Sequence, residues 1–275
     1  MKRILVPTDF SECAANALDA AAQLAERFDA TLHLLHSEDL PPYWEQLPEE
    51  EKQKWATVNQ ASDKAKHQLK QFKEKYPNLH LETTCTPKQL PAAISAHVEQ
   101  HGIELIVIGS HGASGKNEFF IGSNTQKVVR TIHCPTLIIK NPLKDINFHK
   151  VVFASSFNES ELEGFVHFKN LVKHFIPEIH LVYVQHSIIN PPTQIQLETM
   201  KPFERACAPL QCQSHIYNDF SVDKGIRSFA DKLGADLIAI SYHERHPIKR
   251  MLIGSNVEAI INHAELPVLT IDFEN

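Results

Sequence analysis

The residues best suited to chemistry are Gly109-Ser110-His111-Gly112, followed after nine residues by Gly122-Ser123-Asn124. Glycines let a backbone approach an anion closely, and the first-turn N–H groups of a helix have no intrahelical partner and can bind it. The apolar run Leu105-Ile106-Val107-Ile108 lies just upstream and reads as a buried strand. Strand, glycine-rich loop and helix start together make a phosphate cradle. A carboxylate, Asp9, ends an earlier apolar run, Ile4-Leu5-Val6-Pro7-Thr8. There it can accept from a ribose hydroxyl or an exocyclic amine, which points to a nucleotide as the ligand class.

The elements that must position these residues occur twice. Gly102–Lys140 matches Gly234–Asp272 without a gap, pairing Ile121-Gly-Ser-Asn with Ile253-Gly-Ser-Asn and His111 with His243. Lys2–Phe10 likewise aligns with His149–Phe157. Two homologous domains are therefore expected, 1–143 and 147–275, joined near Asn141-Pro142-Leu143-Lys144. Each half alternates strands and helices. In the first half, Ser11 is expected to cap a helix over 14–28, one long helix is expected over 49–75, and 122–132 forms the helix after the glycine loop. In the second half the stretch through Lys201 has no clear period.

Alternation of this kind predicts an α/β chain of two doubly wound domains, each a five-stranded parallel sheet in the order 3-2-1-4-5 flanked by helices. Ligands in such sheets sit where strand order reverses, outside the carboxyl ends of the strands. That switch lies between strands 1 and 4, from which Thr8-Asp9 and Gly109-Ser110 emerge.

Bulk properties narrow the reading. The chain has 275 residues, 43% of them hydrophobic, and a formal net charge of -6. No long basic run offers a nucleic-acid surface. No stretch approaches the roughly 20 apolar residues of a membrane span, and Met1-Lys2-Arg3 is followed by too short an apolar core for a signal peptide. A cytoplasmic location with reduced thiols is expected for the five scattered cysteines, Cys207 and Cys212 included.

With glycine loop and aspartate in place, the chain resembles a tandem universal stress protein, each half covering one family domain. The family's ATP motif, Gly-x2-Gly-x9-Gly-(Ser/Thr), is matched by Gly109, Gly112, Gly122 and Ser123, and its strand-1 aspartate by Asp9. The resemblance implies a stress-response regulatory protein that binds ATP, with Mg2+. It implies Asp9 on the adenosine and the backbone of Gly109–Gly112 and Gly122–Asn124 on the phosphates. It also implies pairing through the fifth strands, here within one chain as a pseudo-dimer, with a homodimer as the other assembly. The second half departs from the motif: Ser156 replaces Asp9, Ser241 and Glu244 replace Gly109 and Gly112, and only Gly254-Ser255-Asn256 survives. A carboxylate at Glu244 would repel phosphates if it faced them, offset in part by Arg245, Lys249 and Arg250. That half is expected to be a degenerate partner.

Rival readings stand beside these. Asp9 and Ser123 can each act as a helix cap, and Lys116 reads equally as a phosphate contact or a solvated loop residue. His33 and His36 are placed on or just beyond the second strand; a surface or capping role is expected for His36, with lining an adenine pocket as the alternative. His243-Glu244-Arg245-His246 lacks the His-Glu-x-x-His spacing of a zinc hydrolase, and no metal ligand is assigned. No nucleophile elbow, Walker P-loop or dinucleotide fingerprint is present, and no catalytic residue is assigned. A slow ATPase or autokinase using the same site, with Ser123 near the phosphates, is one alternative function. The other is a nucleotide-free scaffold or a carrier of another small ligand in the second half, its pocket covered by His186–Lys201.

Overall fold

The structure, a computed structural model, describes residues 1–38, 43, 46–53, 56–111, 121–186, 192–241 and 256–271. The chain divides into two compact units. The first comprises Met1–Glu118, Gly122–Cys134 and Pro142–Asp145, and the second Phe119–Ile121, Pro135–Asn141 and Ile146–Asn275.

The first unit runs β1 (Arg3–Pro7), α1 (Glu12–Phe28), β2 (Thr31–Ser37), α2 (Glu49–Gln53), α3 (Ala56–Lys75), β3 (Leu81–Thr86), α4 (Leu90–His101), β4 (Leu105–Gly109) and α5 (Ser123–Thr131). Its strands lie parallel in the order β3-β2-β1-β4. Of the long helix expected over 49–75, α2 and α3 are described; residues 54 and 55 between them lie outside the described residues. The central strands are continuous apolar runs because helices cover both faces of a parallel sheet, and every residue of β4 is buried. Ser11 caps α1 as expected, its hydroxyl accepting from the Ala14 N–H at 3.2 Å. The buried face of α1 is mostly alanine, Ala14, Ala17, Ala20, Ala21, Ala22 and Ala25 among them, which lets its backbone lie close to the sheet.

The second unit contains β5 (Thr136–Ile139), β6 (Lys150–Ala154), α6 (Leu162–Val172), β7 (Glu178–Gln185), α7 (Thr193–Cys207), β8 (Cys212–Asn218), α8 (Val222–Leu233), β9 (Leu237–Ser241), a helix α9 over 256–263 and β10 (Val268–Ile271). Five strands follow the expected order as β8-β7-β6-β9-β10, all parallel. β5, the fifth strand of the first sequence half, joins this unit antiparallel to β10, with Leu137 opposite Leu269. The core is aromatic where the first unit's is alanine-rich: Phe153, Phe157, Phe165, Phe168 and Phe203 are fully buried and packed ring on ring.

Both halves build the first strand–helix loop alike. Phe10 and Phe157 take left-handed backbone angles, φ 63 and 57, a conformation that costs a side-chain-bearing residue about 1–2 kcal/mol. In each loop a hydroxyl two residues earlier holds the bend. Thr8 Oγ1 accepts from the Phe10 N–H at 3.1 Å and Ser155 Oγ from the Phe157 N–H at 2.9 Å.

The second unit carries an acid-sensitive pair. His180, on β7 and 5% exposed, has Nδ1 3.1 Å from Nε2 of His215 on β8. Burial holds both imidazoles below the ordinary value of 6.5; Glu178 partly opposes this at His180, and the neighbouring ring adds to it at His215. A histidine whose folded pKa is depressed takes up its proton more readily in the unfolded chain. Its contribution is therefore intact above about pH 6.5 and is lost as pH falls below it. The urea midpoint should fall between pH 7.5 and pH 5.5, and less steeply in His180→Asn. Equal slopes in the two proteins would remove the pair from the acid response.

Candidate functional site

One cavity of about 670 Å³ opens at the carboxyl ends of the first unit's strands. Pro7, Thr8 and Asp9 reach it from β1, His36, Ser37 and Glu38 from the end of β2, Gly109 and His111 from β4, and Gly122–Thr125 with Lys127 from α5. Five of the residues expected to bind a nucleotide, Asp9, Gly109, Gly122, Ser123 and Asn124, therefore line a single cavity. Gly112 lies outside the described residues, as do Lys116, Glu244, Arg245, Lys249, Arg250, Gly254, Ser255 and the His243–His246 cluster.

Asp9 is exposed, and its Oδ1 accepts from the Ser11 N–H at 3.0 Å, which orients the carboxylate at the head of α1. The capping role and the ligand role are compatible, because Ser11 itself caps α1. Beside Asp9, His36 Nδ1 lies 2.8 Å from the Thr8 carbonyl oxygen, and its ring packs 4.6 Å from that of Phe10. His36 therefore lines the cavity. Glu38 adds a second carboxylate on this side; it lies 3.2 Å from Cys85 Sγ, and burial together with that carboxylate pushes the thiol up to about 12.

The opposite wall is the start of α5. Two hydrogen bonds hold it against the end of β4: the Gly122 N–H donates to the Ser110 carbonyl oxygen at 2.7 Å, and the Thr125 hydroxyl donates to the Gly109 carbonyl oxygen at 2.7 Å. The N-cap of α5 is Gly122, which has no side chain to accept from the first turn. The N–H groups of Ser123, Asn124 and Thr125 are therefore left for a ligand or water by helix geometry, and they carry the positive end of the helix dipole. At α1, by contrast, the Ser11 side chain takes up one first-turn donor, the Ala14 N–H. Lys127, four residues after Ser123 and so on the same helix face, brings a cation to this wall.

Gly109 earns its place differently from what an anion cradle requires. A Cβ there would lie 2.8 Å from both the carbonyl carbon and the oxygen of Cys13 and 3.1 Å from the Ala14 nitrogen. The absence of a side chain lets α1 approach β4, while Gly109 also lines the cavity.

Sequence reasoning put Thr8 and Ser110 at the strand ends without a role, and it passed over Thr125 and Lys127. Of these only Lys127 had a signal, its helical spacing from Ser123. His33 is 3% exposed beneath α4, because β2 is an interior strand.

Among the described residues no helix is long and apolar enough to cross a membrane. The sequence profile of the Universal stress protein family matches residues 1–140 and again 147–272. A universal stress protein of Methanocaldococcus jannaschii is 29% identical over 154 residues, covering 52% of this chain and 85% of that protein. The universal stress protein YxiE of Bacillus subtilis is 31% identical over 155 residues, covering 50% of this chain and 98% of its own length. The crystal structure of a universal stress protein from Archaeoglobus fulgidus superposes with a TM-score of 0.76 at 19% identity, covering 98% of both chains. Two family domains in tandem, built on the doubly wound sheet that this family shares, make the chain a member of the universal stress protein family.

Proposed function

We propose that the first half binds an adenine nucleotide, ATP with Mg2+, and that the chain acts as a stress-response regulatory protein through occupancy of this one site. The observation that carries the reading is the pairing, in one cavity, of a strand-1 carboxylate with an uncapped helix N-terminus. Asp9 and His36 suit the adenosine end, where hydrogen-bond donors of base and ribose need acceptors. The α5 first turn and Lys127 suit the phosphates, by dipole and charge. Mg2+ binds chiefly to phosphate oxygens and water with one or two carboxylates, and Asp9 and Glu38 are the carboxylates lining the cavity. In this reading the residues bind and orient the nucleotide, and none is assigned a catalytic role.

The second half serves as a degenerate partner. Ser156 and Ser241 stand where the first half has Asp9 and Gly109, so the carboxylate end of the cavity has no counterpart there. The antiparallel pairing of β5 with β10 supports a pseudo-dimer built within one chain.

Calorimetric titration of ATP into Asp9→Ala tests the site. Loss of a hydrogen bond to a charged group costs about 1.5–3 kcal/mol, a weakening of roughly 10- to 150-fold. Unchanged affinity would remove Asp9 from the site.

A further inference from the structure

α4 carries His97 and His101 four residues apart, hence on one helix face, and that face meets β2 at His33. His97 Nε2 lies 3.3 Å from His33 Nδ1, and one nitrogen from each of the three rings lies within 4.8 Å of the others. The rings of His97 and His101 stack at 4.2 Å, and both lie within 5.3 Å of the His33 ring. We propose that His33, His97 and His101 form a binding site for a borderline-soft divalent cation of the zinc class, separate from the nucleotide cavity.

The spacing suits that ion. Nitrogen ligands at about 2.0–2.1 Å around a tetrahedral zinc stand roughly 3.3–3.4 Å apart, the separation His33 and His97 already have. Small ring rotations, easiest at half-buried His101 on the last turn, bring in the third donor. Glu82 on β3 supplies a fourth within reach: its Oε2 is 3.4 Å from His33 Nδ1. The positive charge is favoured by the negative end of the α4 dipole, where His101 sits. The adverse neighbour is Arg3, whose Nη1 donates to the His101 carbonyl oxygen at 2.7 Å.

Packing alone accounts poorly for the cluster. His33 and His97 are 3% and 7% exposed, and His33 Nδ1 faces His97 Nε2 at 3.3 Å in this buried setting. Burying polar nitrogens costs free energy unless something binds them.

The repeat supplies a comparison. His180 occupies on β7 the register position that His33 occupies on β2. The α8 residues aligned with His97 and His101 are Phe229 and Leu233. A buried strand histidine is thus common to both halves, whereas the helix pair belongs to the first. The cluster also lies toward the beginnings of the strands: Glu82 is the second residue of β3 and His33 the third of β2. The nucleotide cavity takes His36, Ser37 and Glu38 from the other end of β2.

The full, untagged chain, stripped with chelator, should bind one equivalent of Co2+ with the visible absorption of a four- or five-coordinate nitrogen site, and Zn2+ should displace it. The His97→Phe/His101→Leu double variant takes residues the second half accommodates. It should lose that absorption and weaken Zn2+ binding in calorimetry by more than about 100-fold, beyond what loss of an outer-shell contact costs. His101→Gln at the helix end, which keeps the buried packing intact, should weaken it in the same direction. Absence of the Co2+ absorption in the wild-type chain would overturn the proposal. So would equal one-equivalent binding in a double variant whose circular dichroism matches wild type.

Discussion

Gly109→Val is expected to destabilise the chain by about 1–3 kcal/mol or more, in the range of overpacked cores. The new Cβ meets main-chain atoms of Cys13 and Ala14 at 2.8–3.1 Å, and main chain cannot swing aside as a side-chain tip can. Relief requires α1 to move from β4, and α1 begins beside Asp9. Urea unfolding measures the effect, and a stability within about 0.5 kcal/mol of wild type, the scatter of harmless surface changes, would show the contact to be soft. The second half keeps Ser241 at the aligned position. There the element after the first strand opens with a tighter 3-10 turn, Glu159–Glu161, before α6. A side chain at the end of β9 thus accompanies a different helix start.

Gly122→Val should do the reverse, leaving the fold intact and abolishing nucleotide binding. Gly122 has φ -60 and ψ 143, which any residue adopts, so no backbone strain opposes the change. Its main-chain hydrogen bond to Ser110 survives, since valine retains the N–H. The isopropyl group, however, stands at the cavity wall where the phosphates would meet the α5 first turn. ATP affinity is expected to fall by about 100-fold or more, equivalent to roughly 3 kcal/mol, with an unchanged melting temperature. Wild-type affinity in calorimetry would move the phosphates away from α5. The two variants therefore separate two expected effects, packing of α1 at Gly109 and nucleotide binding at Gly122.

Much of this was legible in the residues. β1, β4, β6 and β9 announce themselves because strands buried on both faces are unbroken apolar runs. Ser11 announces the start of α1, and Gly102 and Gly234, at φ 57 and 66, end α4 and α8 in left-handed caps that suit glycine. α7 was not legible, although Gln196, Met200, Phe203 and Cys207 follow a helical period on its buried face. Its polar first contact and the internal Pro202 mask the pattern, since proline ordinarily breaks a helix. In the site, glycine spacing marks the entry into α5 because backbone geometry dictates it. Thr125 escapes because its role depends on which strand end lies beside which helix. The same reason hid the three-histidine cluster: α4 shows its pair at i and i+4, but nothing in the chain says that β2 brings His33 to meet it.

The antiparallel partnership of β5 with β10 has a consequence for synthesis. Thr136–Ile139 leaves the ribosome about 130 residues before Val268–Ile271, an interval of roughly 7–26 s at ordinary elongation rates. Throughout that time one edge of a Thr-Leu-Ile-Ile strand has no mate, and apolar edges of this kind recruit neighbouring chains. The strand is only four residues long and is followed at once by Lys140, a brevity and a flanking charge that keep such an edge from templating aggregation. In the finished chain the Lys140 ammonium lies 3.3 Å from a carboxylate oxygen of Glu265, just ahead of the strand that arrives last. A guard during translation becomes a clasp once the mate arrives.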